Sequence, residues 1–312
     1  MPRVSVVVAA RDAEATLGRC LAALVRQSEQ DIEVIVVDDG SSDSTAALAE
    51  NATGPVRLVR QPSAGAASAR NRGVAEASSD LIAFTDADCF PEPGWLERGL
   101  GALEGADLVQ GRVDPEEIEL PLPFDRSLSV TRPSPFFETA NLFARRAMLE
   151  QVGGFEAPVG DVGGRPFGED MWLGWRARRT GARVAFSPDA RVRHAVFRSS
   201  AADWVLEHWR RRLFPPMVAR VPELRRELCF GRLFLDRRTA AFDLALAAAA
   251  AALVSRRPAP LVAAGPYAWL ALRDAAPWRS LGPQRLAATV AADALGCAAL
   301  VAGSLRARTP VL

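Results

Sequence analysis

Apolar positions near the start of the chain fall into short unbroken runs, Val4 to Val8, Ile32 to Val37 and Leu81 to Thr85, with a weaker run at Val56 to Val59. Such β-branched runs fit parallel strands buried on both faces. Between the first two, Leu17, Leu21, Leu24 and Val25 recur at three- and four-residue intervals, which predicts a helix within Ala13 to Gln27. Composition predicts further helices over Ser44 to Asn51 and Ala66 to Ala77. Strand, helix, strand, helix, strand implies right-handed crossovers in a doubly wound α/β sheet, whose ligand crevice opens at the strand carboxyl ends.

From Val109 to Arg165 the pattern becomes irregular and rich in Pro and Gly, which predicts loops, a short strand at Leu108 to Val113 and an acceptor-facing surface. Gly168 to Thr180 reads as a helix, Val184 to Phe186 as a short strand and Asp203 to Arg212 as a basic helix. After Asp236 the chain turns to Ala and Leu, in three apolar stretches: Phe242 to Val254, Leu261 to Leu272 and Leu286 to Leu305. A spanning helix needs ~20 apolar residues, and only the last stretch reaches that. Asp243 and Asp293 interrupt the first and last, where carboxylates in a membrane are costly. Arg210 to Arg212, Arg225, Arg226, Arg237 and Arg238 precede the first stretch, as a cytoplasmic positive flank would. The expected organisation is a catalytic domain over 1–200, a basic helical linker over 201–238 and a hydrophobic helical segment over 239–312. That last segment is expected at the cytoplasmic side of a membrane, with packed helices in a soluble cytoplasmic protein as the alternative.

Composition narrows this picture only slightly. An apolar fraction of 49% and a charged fraction of 24% permit a sizeable core, and a net charge of +1 gives no cue to nucleic acid or another acidic partner. The chain holds no Lys, so apart from two His every basic side chain is Arg; with abundant Ala this points to a GC-rich bacterial genome. Cys20, Cys89, Cys229 and Cys297 are far apart and form no C-x-x-C pair, against a zinc site or disulfide framework. The N-terminus opens directly into a strand-like run unlike a signal peptide, so the catalytic part is expected inside the cell.

The candidate chemistry stands at the predicted strand ends. Asp38-Asp39-Gly40-Ser41 follows a fully apolar strand, where a carboxylate can accept hydrogen bonds from a base or ribose, or cap the next helix. Asp86-Ala87-Asp88 follows another, and two carboxylates there can share a ribose and a divalent cation such as Mg²⁺ or Mn²⁺. Arg70, within Ala69-Arg70-Asn71-Arg72-Gly73, can grip a phosphate with its planar fork. Glu169 and Asp170 open a predicted helix, where either could cap it or serve as general base toward a hydroxyl. His194 follows a short strand.

Together these elements resemble family 2 glycosyltransferases of the GT-A fold: Val4 to Ala10 as first strand, Val36-Val37-Asp38-Asp39-Gly40-Ser41, the Ala69 to Gly73 segment, Asp86-Ala87-Asp88 and Gly168-Glu169-Asp170, in the family's order over roughly residues 1–200. The resemblance implies a Rossmann-like mixed sheet and a nucleotide-sugar donor contacted by Ala9, Asp39, Arg70 and Asp86. It implies a divalent cation at Asp88, with His194 nearby, and Asp170 as the base of an inverting transfer to a sugar, lipid-linked or other hydroxyl acceptor in envelope, glycolipid or polysaccharide synthesis. Glu207-His208-Trp209-Arg210-Arg211 does not match the Q-x-x-R-W motif of the family's processive synthases, which favours transfer of a single sugar. Two other functions stay open: a sugar nucleotidyltransferase, against which the missing Lys-containing phosphate loop speaks, and a non-enzymatic membrane scaffold, against which intact Asp88 and Asp170 speak.

Overall fold

A computed structural model describes residues 1–156, 159–161 and 166–312, and divides the chain into two compact units. Unit 1 comprises Met1–Ile118 and Ser127–Val196; unit 2 comprises Glu119–Arg126 and Phe197–Leu312. Residues 201–238, expected as a linker, fold within the same unit as the helices that follow them.

In unit 1 the elements are β1 (Val4–Ala10), α1 (Leu17–Val25), β2 (Ile32–Asp38), α2 (Thr45–Glu50), β3 (Val56–Arg60), α3 (Ala66–Glu76), β4 (Leu81–Asp86), β5 (Cys89–Pro91), α4 (Trp95–Leu103), β6 (Leu108–Pro115), β7 (Leu142–Arg145), α5 (Arg146–Gln151), β8 (Val159–Asp161), β9 (Pro166–Phe167), α6 (Glu169–Arg179) and β10 (Val184–His194). Eight strands form one mixed sheet in the order β3-β2-β1-β4-β7-β6-β10-β5. The strand order reverses between β1 and β4, the place where a doubly wound sheet opens its crevice. Register sets what lines it. Ala10 pairs with Asp38 and Ala9 with Asp86, so the two Asp-bearing strands end level with each other on either side of β1.

The sheet is buried on both faces, which is why its strands read as unbroken apolar runs. Val34 and Val36 of β2 join Val4, Val6 and Val8 in a core with Leu17, Leu21 and Leu24 of α1 and Trp95, Leu96 and Leu100 of α4. Ile35 and Val37 point to the opposite face, against Val59 and Ala69. Helix α3 lies close to β1 because Gly73 has no side chain: a Cβ there would meet Val7 Cγ1 at 2.3 Å. Arg146 fixes the end of α3, donating to the carbonyls of Val74, Ala77 and Ser79, the usual service of a cation at a helix C-terminus.

The stretch expected as loops contains β7 and α5, and β7 is the antiparallel member that joins β4 to β6. Residues 157–158 and 162–165 of that stretch lie outside the described residues. Strand β10 runs on past Phe186 to His194, with a register shift between Ser187 and Arg191.

Unit 2 holds α7 (Ala201–Glu207), a 3₁₀ segment His208–Leu213, α8 (Phe214–Arg220), α9 (Leu224–Glu227), α10 (Arg237–Ser255), a 3₁₀ segment Ala259–Ala264, α11 (Gly265–Ala275) and α12 (Gly282–Ala307). Helix α10 begins at a capping box in which the Asp236 carboxylate accepts the Thr239 N–H and the Thr239 hydroxyl accepts the Asp236 N–H. Unit 2 thus supplies the hydrophobic C-terminal helices that follow the GT-A-like sheet.

Candidate active site

Asp39 stands just beyond β2 and is almost wholly buried. One carboxylate oxygen accepts the Ala64 N–H at 2.8 Å and the Gln61 amide at 2.7 Å; the other accepts the Gly65 N–H at 2.9 Å. This carboxylate therefore ties the end of β2 to the turn that starts α3. Asp38 accepts the Ser41 N–H at 3.1 Å, closing the turn at Gly40, and Asp43 accepts the Thr45 N–H at the start of α2 at 2.9 Å. Asp43, with Asp38 a candidate cap of α2, therefore holds the first N–H of that helix from the position before Ser44, whose own side chain makes no capping bond.

Arg70, expected at a phosphate, is committed to two carboxylates. Its Nη2 donates to Asp86 Oδ1 at 2.9 Å and its Nη1 to Glu169 Oε1 at 2.8 Å, with the Phe155 ring 5.8 Å from the guanidinium. Asn71, the next residue, holds the Phe155 backbone through both amide atoms, accepting its N–H and donating to its carbonyl. Helix α3 thus links the end of β4, the start of α6 and the segment that carries Phe155.

Gly168 turns the chain into α6 in the left-handed region (φ 83°), a conformation that favours glycine. The two acids that follow diverge in role. Glu169 pairs with Arg70, whereas Asp170 accepts the Met171 N–H at 2.8 Å. Burial, then the neighbouring Glu169 charge, pushes the Asp170 carboxyl up to about 8 against the opposing pull of Arg70. A carboxyl so placed exchanges its proton near neutral pH, the range useful to a general base.

At the far end of the D-x-D segment, Asp88 Oδ2 lies 3.5 Å from His194 Nε2. Burial and the Asp86 charge raise the Asp88 carboxyl, and His194 opposes them. A proton on His194 Nδ1, donated to the Ala195 carbonyl at 2.8 Å, turns Nε2 into an acceptor that faces Asp88. That is how a second partner orients a ligating imidazole. Cys89 completes a group whose potential ligand atoms all lie within 4.8 Å of one another. Edge strand β5 explains it, since it pairs Cys89 directly with His194. The cysteine spacing spoke against a zinc site or disulfide framework and gave no sign that Cys89 would stand beside His194. A carboxylate suits Mn²⁺ or Mg²⁺ and an imidazole adds a nitrogen donor, while burial pushes the Cys89 thiol up and keeps it protonated, so Asp88 and His194 fit a divalent cation with Cys89 as a neutral neighbour.

Glu138 escaped the sequence reading. It is half-buried, accepts hydrogen bonds from Ser134 and the Gln110 amide, and its charge adds to the upward pressure on Asp170. Its surroundings in an irregular Pro-rich stretch give no periodic signal to find it by.

The comparisons agree with this geometry. Residues 5–157 match the family described as Glycosyl transferase family 2. Glycosyltransferase AglE of Haloferax volcanii is 31% identical over 172 residues, covering 50% of this chain and 56% of its own length. The pre-mycofactocin glycosyltransferase of Mycobacterium tuberculosis is 30% identical over 231 residues, covering 65% of this chain and 44% of its own. The chain thus spans about half the length of these curated relatives. Among solved structures, a mannosyltransferase from Pyrobaculum calidifontis, in complex with GDP-Man and Mn²⁺, superposes with a TM-score of 0.59 at 20% identity, covering 98% of this chain and 87% of its own. S. aureus TarS 1-349, in complex with UDP-GlcNAc, gives 0.51 at 15% identity, covering 99% and 93%. At such identities these two speak for the fold alone. With an Asp-ended strand on each side of β1 and a family match running from β1 past α5, residues 5–157 of this chain are a glycosyl transferase family 2 domain, and the chain has the GT-A fold.

Proposed function

We propose that the protein transfers a single sugar from a nucleoside-diphosphate sugar to an acceptor hydroxyl, with inversion at the anomeric carbon, at the cytoplasmic face of a membrane. The observation that carries this reading is Asp170: a partly buried carboxyl with a raised proton affinity, at the start of α6, beside an Arg70 that engages the end of β4. Relatives that are named glycosyltransferases and a structural neighbour solved with GDP-Man and Mn²⁺ support the donor class.

In this mechanism Ala9, Asp39 and Asp86 line the nucleotide, the first by leaving space at the end of β1. Arg70 acts as a strut, holding Asp86 and Glu169 at fixed separation. Asp170 takes the proton of the acceptor hydroxyl as its oxygen bonds to the anomeric carbon, and the bond to the nucleoside diphosphate breaks on the opposite face. Asp88 and His194, with Cys89 beside them, would hold a divalent cation, which when bound supplies positive charge to the departing diphosphate.

Incubation of the full chain with Mn²⁺ and separate UDP-, GDP- and dTDP-sugars should release nucleoside diphosphate from one class. Asp88→Asn should lower the Mn²⁺-dependent part of nucleotide affinity by ~10-fold or more, since even outer-shell changes at metal sites cost ~10–100-fold. Unchanged Mn²⁺-dependent affinity in calorimetry would remove Asp88 from the metal site. Release from none of the donors would overturn the activity.

A further inference from the structure

Two helical segments, Arg237–Ser255 and Ala259–Ala307, are long and apolar enough by length and composition to cross a membrane. Their charges argue against crossing. Between Asp243 and Arg256 the chain has 12 uncharged residues, and between Arg257 and Arg273 it has 15, broken by Pro258, Pro260 and Pro266. A 12-residue helix reaches ~18 Å, against a hydrocarbon core of ~30 Å. Helix α12 is interrupted at its middle by Asp293, which accepts hydrogen bonds from Arg238 Nε at 2.8 Å and the Tyr267 hydroxyl at 3.0 Å, with Arg211 at 3.8 Å. Arg238 also pairs with Asp274. Crossing would carry this ion-paired set into hydrocarbon.

The surface these charges leave is apolar. From Leu244 to Val254 only Ala248 is buried, and every exposed residue in that stretch is Leu, Ala or Val. Helix α10 packs chiefly on the 3₁₀ segment Ala259–Ala264 that returns beside it. Around their turn Leu253, Val254 and Val262 are 81%, 85% and 83% exposed, and Trp269 of α11 is 68% exposed. Contiguous apolar exposure of this kind marks an interaction surface. Its rim is basic: Arg256, Arg257, Arg273 and Arg279 are all exposed, and from Leu244 to Leu281 the only acid is Asp274, already paired with Arg238.

We infer that the helical hairpin of α10, the 3₁₀ segment and α11 docks on an anionic lipid bilayer and lies within one leaflet, without spanning it. Leu253, Val254, Val262 and Trp269 enter the acyl boundary while the four arginines engage lipid phosphates, as in interfacial amphipathic elements. The inference rests on the membrane part of the function proposed above and specifies its mode.

Flotation of the full chain with preformed vesicles tests it. Binding should be strong to phosphatidylcholine vesicles containing phosphatidylglycerol and weak to phosphatidylcholine alone. The pair Leu253→Glu with Val262→Glu should lower it by ~10²-fold, the scale of two lost aliphatic burials, while nucleotide binding in solution stays intact. Arg256→Gln with Arg257→Gln should remove most of the preference for phosphatidylglycerol. A cysteine introduced as Ser255→Cys, at the hairpin turn, should react on intact vesicles with a membrane-impermeant maleimide, against a wild-type background from Cys20, Cys89, Cys229 and Cys297. Labelling only after vesicle lysis would mean that the hairpin spans, which overturns this inference and leaves the membrane reading standing. No binding to either vesicle, including the case of a stable dimer that buries this face, would overturn both.

Discussion

Arg238 and Arg70 each bridge a pair of carboxylates, and their surroundings differ in the sum of charge. Arg238 joins Asp274 and Asp293 in unit 2, with Arg211 near Asp293 and the exposed Arg273 near Asp274, so both anions are matched by cations and Tyr267 adds a hydrogen bond. Arg70 joins Asp86 and Glu169 in unit 1, but Asp170 and Asp88 stand close by and the surplus is negative. A balanced cluster needs nothing more and holds helices together. In the unbalanced one burial, and after it the neighbouring negative charge, raises the proton affinity of Asp170 and Asp88, which favours a proton or a cation there. By this difference we read the first as structural and the second as the place of the proposed chemistry.

The largest effect that could break the comparison is on turnover. Asp170→Asn should lower sugar transfer by ~10²-fold or more, the usual scale for a positioned base, with donor binding retained. Single-turnover assays with the donor identified by nucleotide release would show it. If Glu169→Gln were the inactive variant and Asp170→Asn turned over normally, the surplus charge would belong to the strut and the base would be Glu169.

In the balanced cluster the same kind of change should act on stability alone. Asp293→Asn leaves Arg238 with one partner, and losing a member of a buried pair costs ~3–5 kcal/mol. Arg238 is about one-fifth exposed, so solvent screening brings the expected loss down to ~2–3 kcal/mol. Thermal unfolding and hydrogen exchange in α12 would measure it, and transfer per folded molecule should be unchanged. A catalytic defect that persists under fully folded conditions would show that the two clusters are not separate in role.

The sequence exposes these clusters unequally. Asp39, Asp86 and Asp88 were legible because each closes a buried apolar run, and a strand end in a doubly wound sheet is a definite place. Glu169 and Asp170 were legible as a pair, but their spacing did not divide their labour and only the resemblance put Asp170 forward as base, because the Arg70 contact that separates them spans 99 residues of sequence. Helix α4 was missed although Trp95, Leu96, Leu100 and Leu103 repeat helically. Gly99 and Gly101 weakened the pattern, and Gly99 is there for packing: a Cβ would meet the Phe143 ring at 2.0 Å. Strand β7 has four residues and owes its place to two long-range partners. The meeting of Asp88, Cys89 and His194 depends on the short strand β5 and on β10 continuing through Pro188, neither of which local pattern reveals. Charge balance in unit 2 was hidden likewise, since Asp293 reads as an interruption until Arg238 and Tyr267 are beside it.

The last effect concerns pH and separates Asp170 from a carboxyl of ordinary proton affinity. Its proton affinity in the folded protein is raised above the unfolded value by burial and by Glu169, so as pH rises from the ordinary carboxylate range the unfolded chain loses this proton first. The unfolded state then binds fewer protons than the folded one, and stability falls with pH until the folded carboxyl also ionises, near 8. Asn cannot ionise, so Asp170→Asn should escape this decline. Its unfolding midpoint, measured without donor or metal, should rise relative to the wild type between pH 5 and 8, flatten above that, and show no such trend in Asp293→Asn. The wild type should approach the variant again as pH falls toward 5, where Asp170 is protonated in the fold. A constant gap between Asp170→Asn and wild type across this window would mean that the carboxyl is already ionised at pH 5, and the surplus negative charge would have to be neutralised by something other than its proton.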